Sequence, residues 1–356
     1  MQKRWQKRAE IEVQFNWIFV LIVGAIIIIF FVNLSGKQKE VSSQKLSADL
    51  LTSLEVIVTG QSVSVGRSST LEMPPITIGF TCDSYQILTQ SKAIGNVVVF
   101  APEMIKGPKM ITWTLDWGLR AAAYSSFKAA NFVYLTSSNR KYYFVRDDPS
   151  VDAVIEVMQA EMPKDININV VTSAEIRTLK FENNYAVTFV FFSLDPIFPD
   201  SFRRAQTDMA ALKINFNNAQ PTMESLNGIA SVSFYTSKDS AWVKESNALP
   251  FGKEAFYGAL FSSNAEQFTC NMEKALQKLS FVAQVYLLRA QALQPNLAET
   301  CKADFADGIN DFTAVKDTAK KGVKMAGRDV TSLYGAIESL KHSMTNLKLN
   351  SCPVLY

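Results

Sequence analysis

The dominant feature of the hydrophobic pattern is a gap in the charged residues. Residues 13–36, VQFNWIFVLIVGAIIIIFFVNLSG, carry no charged side chain and are almost wholly apolar from Trp17 to Val32. As a helix, two dozen residues at about 1.5 Å each cross a hydrocarbon core of roughly 30 Å, so the pattern predicts a transmembrane helix. Behind it, residues 37–54 form a polar stalk that turns amphipathic, with Leu46, Leu50, Leu51, Leu54 and Val56 on one helical face. Residues 55–120 change to short β-rich runs, LEVIV, ITIGFTC, YQILTQ, NVVVFAP and MITWTLDW, punctuated by Gly, Pro, Ser and Asn. They predict an antiparallel meander that needs a cover on one face.

Residues 121–262 follow another rhythm. NFVYLTS, KYYFVRDD, ININVVT, YAVTFVFF, LKINF and ASVSFYT read as strands, and a helix entered at Pro149 or Ser150 stops at Pro163. Runs such as YYFV and VTFVFF are apolar on both faces, as in a sheet covered on both sides, which predicts an α/β layer with an α+β arrangement as the alternative. Residues 263–356 give three apolar stripes. The first takes Phe268, Met272, Leu276, Leu279, Ala283, Tyr286, Ala290 and Leu293 and ends at Pro295; the second takes Phe305, Ile309, Phe312 and Val315 and fades at Lys320, Lys321 and Gly322. The third, capped by Asp329, takes Leu333, Ile337, Leu340, Met344 and Leu347. Together they predict an up-down-up three-helix bundle.

Charge sets the orientation of the apolar segment. Lys3, Arg4, Lys7 and Arg8 crowd the 1–12 segment, so it stays cytoplasmic and the large C-terminal part lies outside. Trp17 beside Asn16 suits an interfacial anchor. A cleavable secretory signal fits less well, because the apolar run exceeds an h-region of about 7–15 residues and lacks a small-x-small exit. The net charge is only +3, with Lys and Arg scattered, so no basic face for nucleic acid is predicted. The one Asn-x-Ser/Thr match, Asn33-Leu34-Ser35, lies too near the membrane for a glycosylation acceptor.

Cysteine usage changes the picture more than charge does. Cys82, Cys270, Cys301 and Cys352 make an even count of 4, all beyond the anchor, which predicts two disulfides in an oxidising compartment. No CxxC spacing supports zinc or redox chemistry. A continuous first helix would hold Cys270 about 30 Å from Cys301, too far for a bond. Cys301 and Cys352 fall at one end of an up-down-up bundle. The predicted pairs are therefore Cys301 with Cys352 and Cys82 with Cys270.

The sequence offers little to a catalyst and calls for no cofactor. A single histidine, His342, sits off the apolar stripe, which leaves no Ser-His-Asp triad, HExxH pair or multi-histidine metal site. There is no GxGxxG and no Walker-type loop. Four acids follow predicted strands, namely Asp147, Asp148, Glu175 and Asp195, and acids converging at strand ends could hold a hard cation. The Asp148-Pro149 and Asp195-Pro196 steps favour turn chemistry instead. Asp304, Asp307 and Asp311 read as a solvated helix face and not as an EF-hand loop.

Two resemblances add to this. Lys7-Arg8-Ala9 ahead of the apolar helix resembles an archaeal type IV prepilin leader, although Glu10 and Glu12 miss that family's usual glutamate position. It implies cleavage after Ala9 and packing of the helix in a filament core. Over most of the chain, the anchor, FTCDS, APEMIKGPKMITWTLDW, FTCNMEKA and the terminal CPVLY are similar to membrane-anchored proteins of small-genome symbiotic archaea, a resemblance that implies a compartment and no mechanism. The expected function is that of a non-enzymatic, single-pass membrane protein with a structural or protein-binding role at the cell surface, meeting a protein partner or its own copies in the envelope. A pilin-like filament subunit and a membrane-tethered, metal-assisted hydrolase are the alternatives.

Overall fold

The structure is a computed structural model of the 356-residue chain. It describes residues 3–61, 66–74, 76–121, 125–146, 148–180, 186–192, 194–200, 208–216, 220–222, 226, 230–322 and 330–354, with the side chains of all of these except 3–19, 34–43, 61, 119–121, 125–126 and 330. Two compact units emerge, Met1–Leu54 and Glu55–Tyr356.

The first unit belongs to one long helix, α1 (Lys3–Gln61). Val20, Leu21, Ile26, Phe30 and Phe31 stand exposed along it. Among the described residues no helix is long and apolar enough to cross a membrane. The described side chains of the apolar run are those of 20–33, which rise about 20 Å where a hydrocarbon core needs about 30 Å. The side chains of Lys3, Arg4, Lys7, Arg8 and Trp17 lie outside those described.

The helix runs through the expected stalk and overrides one expectation beyond it. Residues 37–54 are helical throughout, and 54–58, LEVIV, continue the same helix instead of opening the β-rich layer. Extending an existing helix adds a hydrogen bond for each residue fixed, and that outweighs the weak β preference of Val56, Ile57 and Val58. Within the second unit, Val58 is buried and Val56, assigned by pattern to the apolar face, is exposed.

The second unit is α+β. Its first strands are β1 (Ser68–Glu72), β2 (Thr77–Phe80), β3 (Ser84–Ile87), β4 (Gln90–Ala93), β5 (Val98–Phe100), β6 (Met104–Lys106), β7 (Lys109–Ala121) and β8 (Ser125–Ser137). β2, β3 and β4 form the expected meander, closed by β6 in the order β4-β3-β2-β6. YQILTQ is not one strand, because Leu88 takes φ 54° and turns β3 into β4. A second sheet runs β1-β7-β8-β5, built on the antiparallel hairpin of β7 and β8. NFVYLTS therefore pairs with MITWTLDW, so the 120/121 boundary expected from sequence falls within a hairpin.

Gly118 sits at the bulge in that hairpin, where a Cβ would come within 2.0 Å of the Phe127 carbonyl oxygen. Backbone cannot yield as a side-chain tip does. Gly118→Ala is expected to lower stability by about 3 kcal/mol, read as a shifted urea midpoint. A midpoint within experimental scatter of the parent's would show that the close approach is not there.

The third sheet carries β9 (Arg140–Arg146), β10 (Asn167–Thr172), β11 (Ala186–Phe192), β12 (Met209–Asn215), β13 (Ser231–Lys238) and β14 (Ala241–Ala248), in the order β10-β9-β11-β12-β13-β14. The first four in that order are parallel and the last two antiparallel. Side chains alternate between two cores, as a pleated strand requires. Tyr142, Phe144, Val190 and Phe192 enter the main core, and Tyr143, Val145, Phe189 and Phe191 enter a second. α2 (Asp152–Glu161) crosses from β9 to β10 and buries Val154, Ile155 and Met158 in the main core, while α3 (Ser173–Ile176) covers the other face with Ile176.

α4 (Lys253–Phe261) has no amphipathic signature, since its residues from Glu254 to Phe261 are all buried. A short helix apolar all round carries no stripe for the eye to find. It lies against the β7–β8 hairpin, with Tyr257 and Trp113 at 4.9 Å and Phe261 and Tyr134 at 5.4 Å between ring centroids.

The three expected helices are α5 (Ala265–Leu293), α6 (Glu299–Gly322) and α7 (Val330–Leu349). α6 packs between the other two. The helices also lie on the sheets, α5 against β5, β8 and β14 and α7 against β7, and share the main core with them. Leu333, Ile337, Leu340, Met344 and Leu347 are all buried. Asp329, the expected cap, lies outside the described residues.

Candidate functional site

Two disulfides join distant parts of the second unit. Cys82 follows β2 and Cys270 sits in the second turn of α5, with Cα atoms 6.1 Å apart across a separation of 188 residues. Cys301, at the start of α6, and Cys352, beyond the end of α7, are 5.7 Å apart. The pairing is the one that helix length predicts. Beside the first bond, Lys274 donates to the Cys82 carbonyl and pairs with Asp83 at 2.9 Å. The sulfurs of Cys82 and Cys270 and a carboxylate oxygen of Asp83 lie within 4.8 Å of one another, which is metal-site spacing. With both sulfurs in a disulfide there is no thiolate to ligate, and Lys274 already satisfies the carboxylate.

The strand-end acids do not converge among the described residues. Asp148 caps the turn that opens the β9–β10 crossover, accepting from the Ser150 N–H at 2.8 Å. Glu175 closes a capping box, accepting from the Thr172 N–H at 2.7 Å and its hydroxyl at 2.9 Å, which holds its carboxyl below the usual range. Asp195 is exposed and pairs with Lys213 at 2.6 Å, a contact that lowers its carboxyl pKa. Asp147 lies outside the described residues. On α6, Asp311 accepts from Ser339 at 2.7 Å and from Ser343, and Asp304 accepts from Asn350 at 2.6 Å. These two acids tether α6 to α7 and its tail, while Asp307 is exposed. His342 is exposed, as its pattern predicts.

One polar cluster was not visible in the sequence. The Tyr257 hydroxyl on α4 donates to Glu161 at the end of α2 at 2.8 Å, and Lys253 closes the other carboxylate oxygen. Tyr134 donates to the Glu254 carbonyl at 2.8 Å. Burial first, then the Glu161 carboxylate, pushes the Tyr257 phenol well above the ordinary tyrosine range; burial does the same for Tyr134. Each is fixed as a neutral hydrogen-bond donor. The cluster is thereby suited to holding α4 in place.

No protein-family model, curated protein or solved structure matches the chain. Function must therefore be argued from the surface that the fold leaves open.

That surface is most distinctive on α5. The buried stripe holds as far as Ala290, with Phe268, Met272, Leu276, Leu279 and Ala283 all buried, while Leu293 is partly exposed. A second apolar row runs along the same helix. Phe281, Val285 and Leu288, at 64%, 64% and 56% exposure, follow the i, i+4, i+7 spacing of one helical face. Beside them a groove of about 460 Å³ opens between α5 and α6, lined by Gln277, Ser280, Phe281, Gln284, Lys316, Asp317 and Lys320. The row was legible in the sequence, but one stripe had already accounted for the helix.

Proposed function

We propose that the chain is a membrane-anchored extracytoplasmic protein with a structural or protein-binding role at the cell surface. The observation that carries this reading is the closure of Cys82 with Cys270 and of Cys301 with Cys352, which leaves no free cysteine. Long-range disulfides persist where thiols are not kept reduced, and all four cysteines follow the uncharged run of 13–36. The basic residues Lys3, Arg4, Lys7 and Arg8 ahead of that run support an inside N-terminus.

The test is extraction. Membranes washed with alkaline carbonate are expected to retain the full-length protein and detergent to release it, while deletion of 13–36 moves it to the soluble fraction. Full-length protein in the carbonate supernatant would defeat the anchor. A second reading, the pilin-like subunit, is favoured by Lys7-Arg8-Ala9 ahead of the apolar run. Intact mass separates the two: a mature chain lacking its first nine residues belongs to a filament subunit, and an uncut chain to a retained anchor.

A further inference from the structure

The exposed row on α5 carries charge in an ordered way. Ser280 donates to the Lys316 carbonyl, and the Tyr286 and Phe312 rings stack at 5.8 Å, so the two helices run antiparallel, with Phe281 and Lys316 lining the same groove. Lys316 and Lys320 therefore flank the Phe281 end of the row, and Lys278 lies one turn before it on α5 itself. Asp317 is the one acid among the groove-lining residues and already pairs with Lys316 at 3.4 Å. Lys278 is half-buried, and burial and then the neighbouring Lys274 lower its pKa. Arg289, exposed beside Leu288, adds a cation at the other end.

Protruding Phe, Val and Leu side chains with lysines at their flanks are what an anionic lipid interface accepts, the apolar groups entering the acyl boundary and the ammonium groups remaining among the phosphates. We infer that the α5 face formed by Phe281, Val285 and Leu288, with Lys278, Lys316 and Lys320 around it, docks on an anionic lipid surface. A second copy of the chain fits less well. Three partly exposed side chains cover on the order of 300 Å² per partner, against about 800 Å² in a standard dimer interface. An acidic protein helix would need its own carboxylates in register with the lysines, whereas a lipid headgroup adjusts to them.

The inference does not rest on the anchor, and the experiment keeps the two apart. Full-length protein is held in nanodiscs of phosphatidylcholine alone, or left in solution where the apolar run does not insert, and is then offered vesicles. Vesicles of phosphatidylglycerol and phosphatidylcholine in equal parts are expected to be captured, and vesicles of phosphatidylcholine alone are not. Val285→Ser with Leu288→Ser, and separately Lys320→Glu, should each weaken capture about tenfold, and added salt should weaken it further. These positions are exposed, and an unchanged urea midpoint confirms that the variants fold.

Equal capture of both vesicle types, no capture of either, or capture indifferent to all three substitutions would overturn the assignment. A Val285→Ser, Leu288→Ser protein that loses an oligomeric state on light scattering while still capturing vesicles would overturn it too, and would give the face to a second copy. Binding of a synthetic acidic amphipathic helix in place of phosphatidylglycerol vesicles would give it to a protein.

Discussion

Replacing Cys82 and Cys270 together by serine is expected to lower the unfolding free energy by about 4–5 kcal/mol. The bond closes a loop across a separation of 188 residues. Cross-linking removes conformational freedom from the unfolded chain, and the stabilisation grows with the logarithm of loop length. The Cys301–Cys352 bond, with a separation of 51, serves as the internal control. Its removal should cost less, by about 1 kcal/mol. The larger loss also has a local cause, because Cys82 fastens the small meander of β2, β3, β4 and β6 to α5, beside the Lys274–Asp83 ion pair. Urea denaturation of both double variants under non-reducing conditions gives the two numbers. A greater loss from the shorter loop would mean that the C-terminal tail, and not the meander, is the part most in need of a staple.

Alkali is expected to unfold the protein steeply above pH 10. Tyr134, Tyr142 and Tyr257 are buried phenols whose pKa values burial raises above the ordinary value of 10.0. For Tyr142 the Arg140 guanidinium and the Thr136 hydroxyl offset part of that rise. The sign follows directly. Below pH 10 both folded and unfolded chains keep these protons, and the stability they support is complete; above it the unfolded chain releases them first. Each such phenol then removes up to about 1 kcal/mol between pH 10 and 11, where the unfolded group is only partly ionised at the start, so the three together remove up to about 3 kcal/mol. Burial and the Glu55 carboxylate push Tyr85 up to about 12, which extends the loss in the same direction.

Tyr257→Phe removes one of these four phenols and should flatten the slope by about a quarter, at the cost of one hydrogen bond to Glu161. Denaturant midpoints at successive pH values, with tyrosinate absorbance followed alongside, provide the check. A parent-minus-Tyr257→Phe difference spectrum showing this tyrosinate near pH 10 while the fold persists would show its hydroxyl to be in contact with water.

The parts of this fold that the sequence discloses are those where one residue pattern has one structural meaning. Phe268 to Ala290 can only be the buried side of a long helix, and the length of that helix is enough to forbid Cys270 from meeting Cys301. YYFV and VTFVFF, apolar at every position, describe strands with a core on each side, and β9 and β11 have exactly that neighbourhood in the middle of the third sheet. What stayed hidden lacks such a pattern. LEVIV has strand-like residues but inherits its helix from the turns before it. YQILTQ contains no Gly or Pro to announce the turn at Leu88. α4 is apolar on all sides, and β14 is nearly all exposed, so neither shows a period.

The polar cluster was hidden for another reason. Glu161 and Tyr257 are 96 residues apart, and only the packing of α4 on the β7–β8 hairpin brings them together. The strand-end acids were visible and lay where their turns required them. The side chains of Asp148, Glu175 and Asp195 proved to be occupied by caps and an ion pair, which no spacing in the chain reveals.

The measurement that bears most directly on the extracytoplasmic reading is thiol labelling in intact cells with a membrane-impermeant alkylating reagent, before and after external reduction, with added protease as the second readout. The expected result is no label on Cys82, Cys270, Cys301 or Cys352 until reductant is added, label on all four afterwards, and digestion of the large C-terminal unit from outside. Thiols that react only once the cells are opened, without any reductant, in a protein that external protease leaves whole, would place the chain in the cytosol and contradict the account.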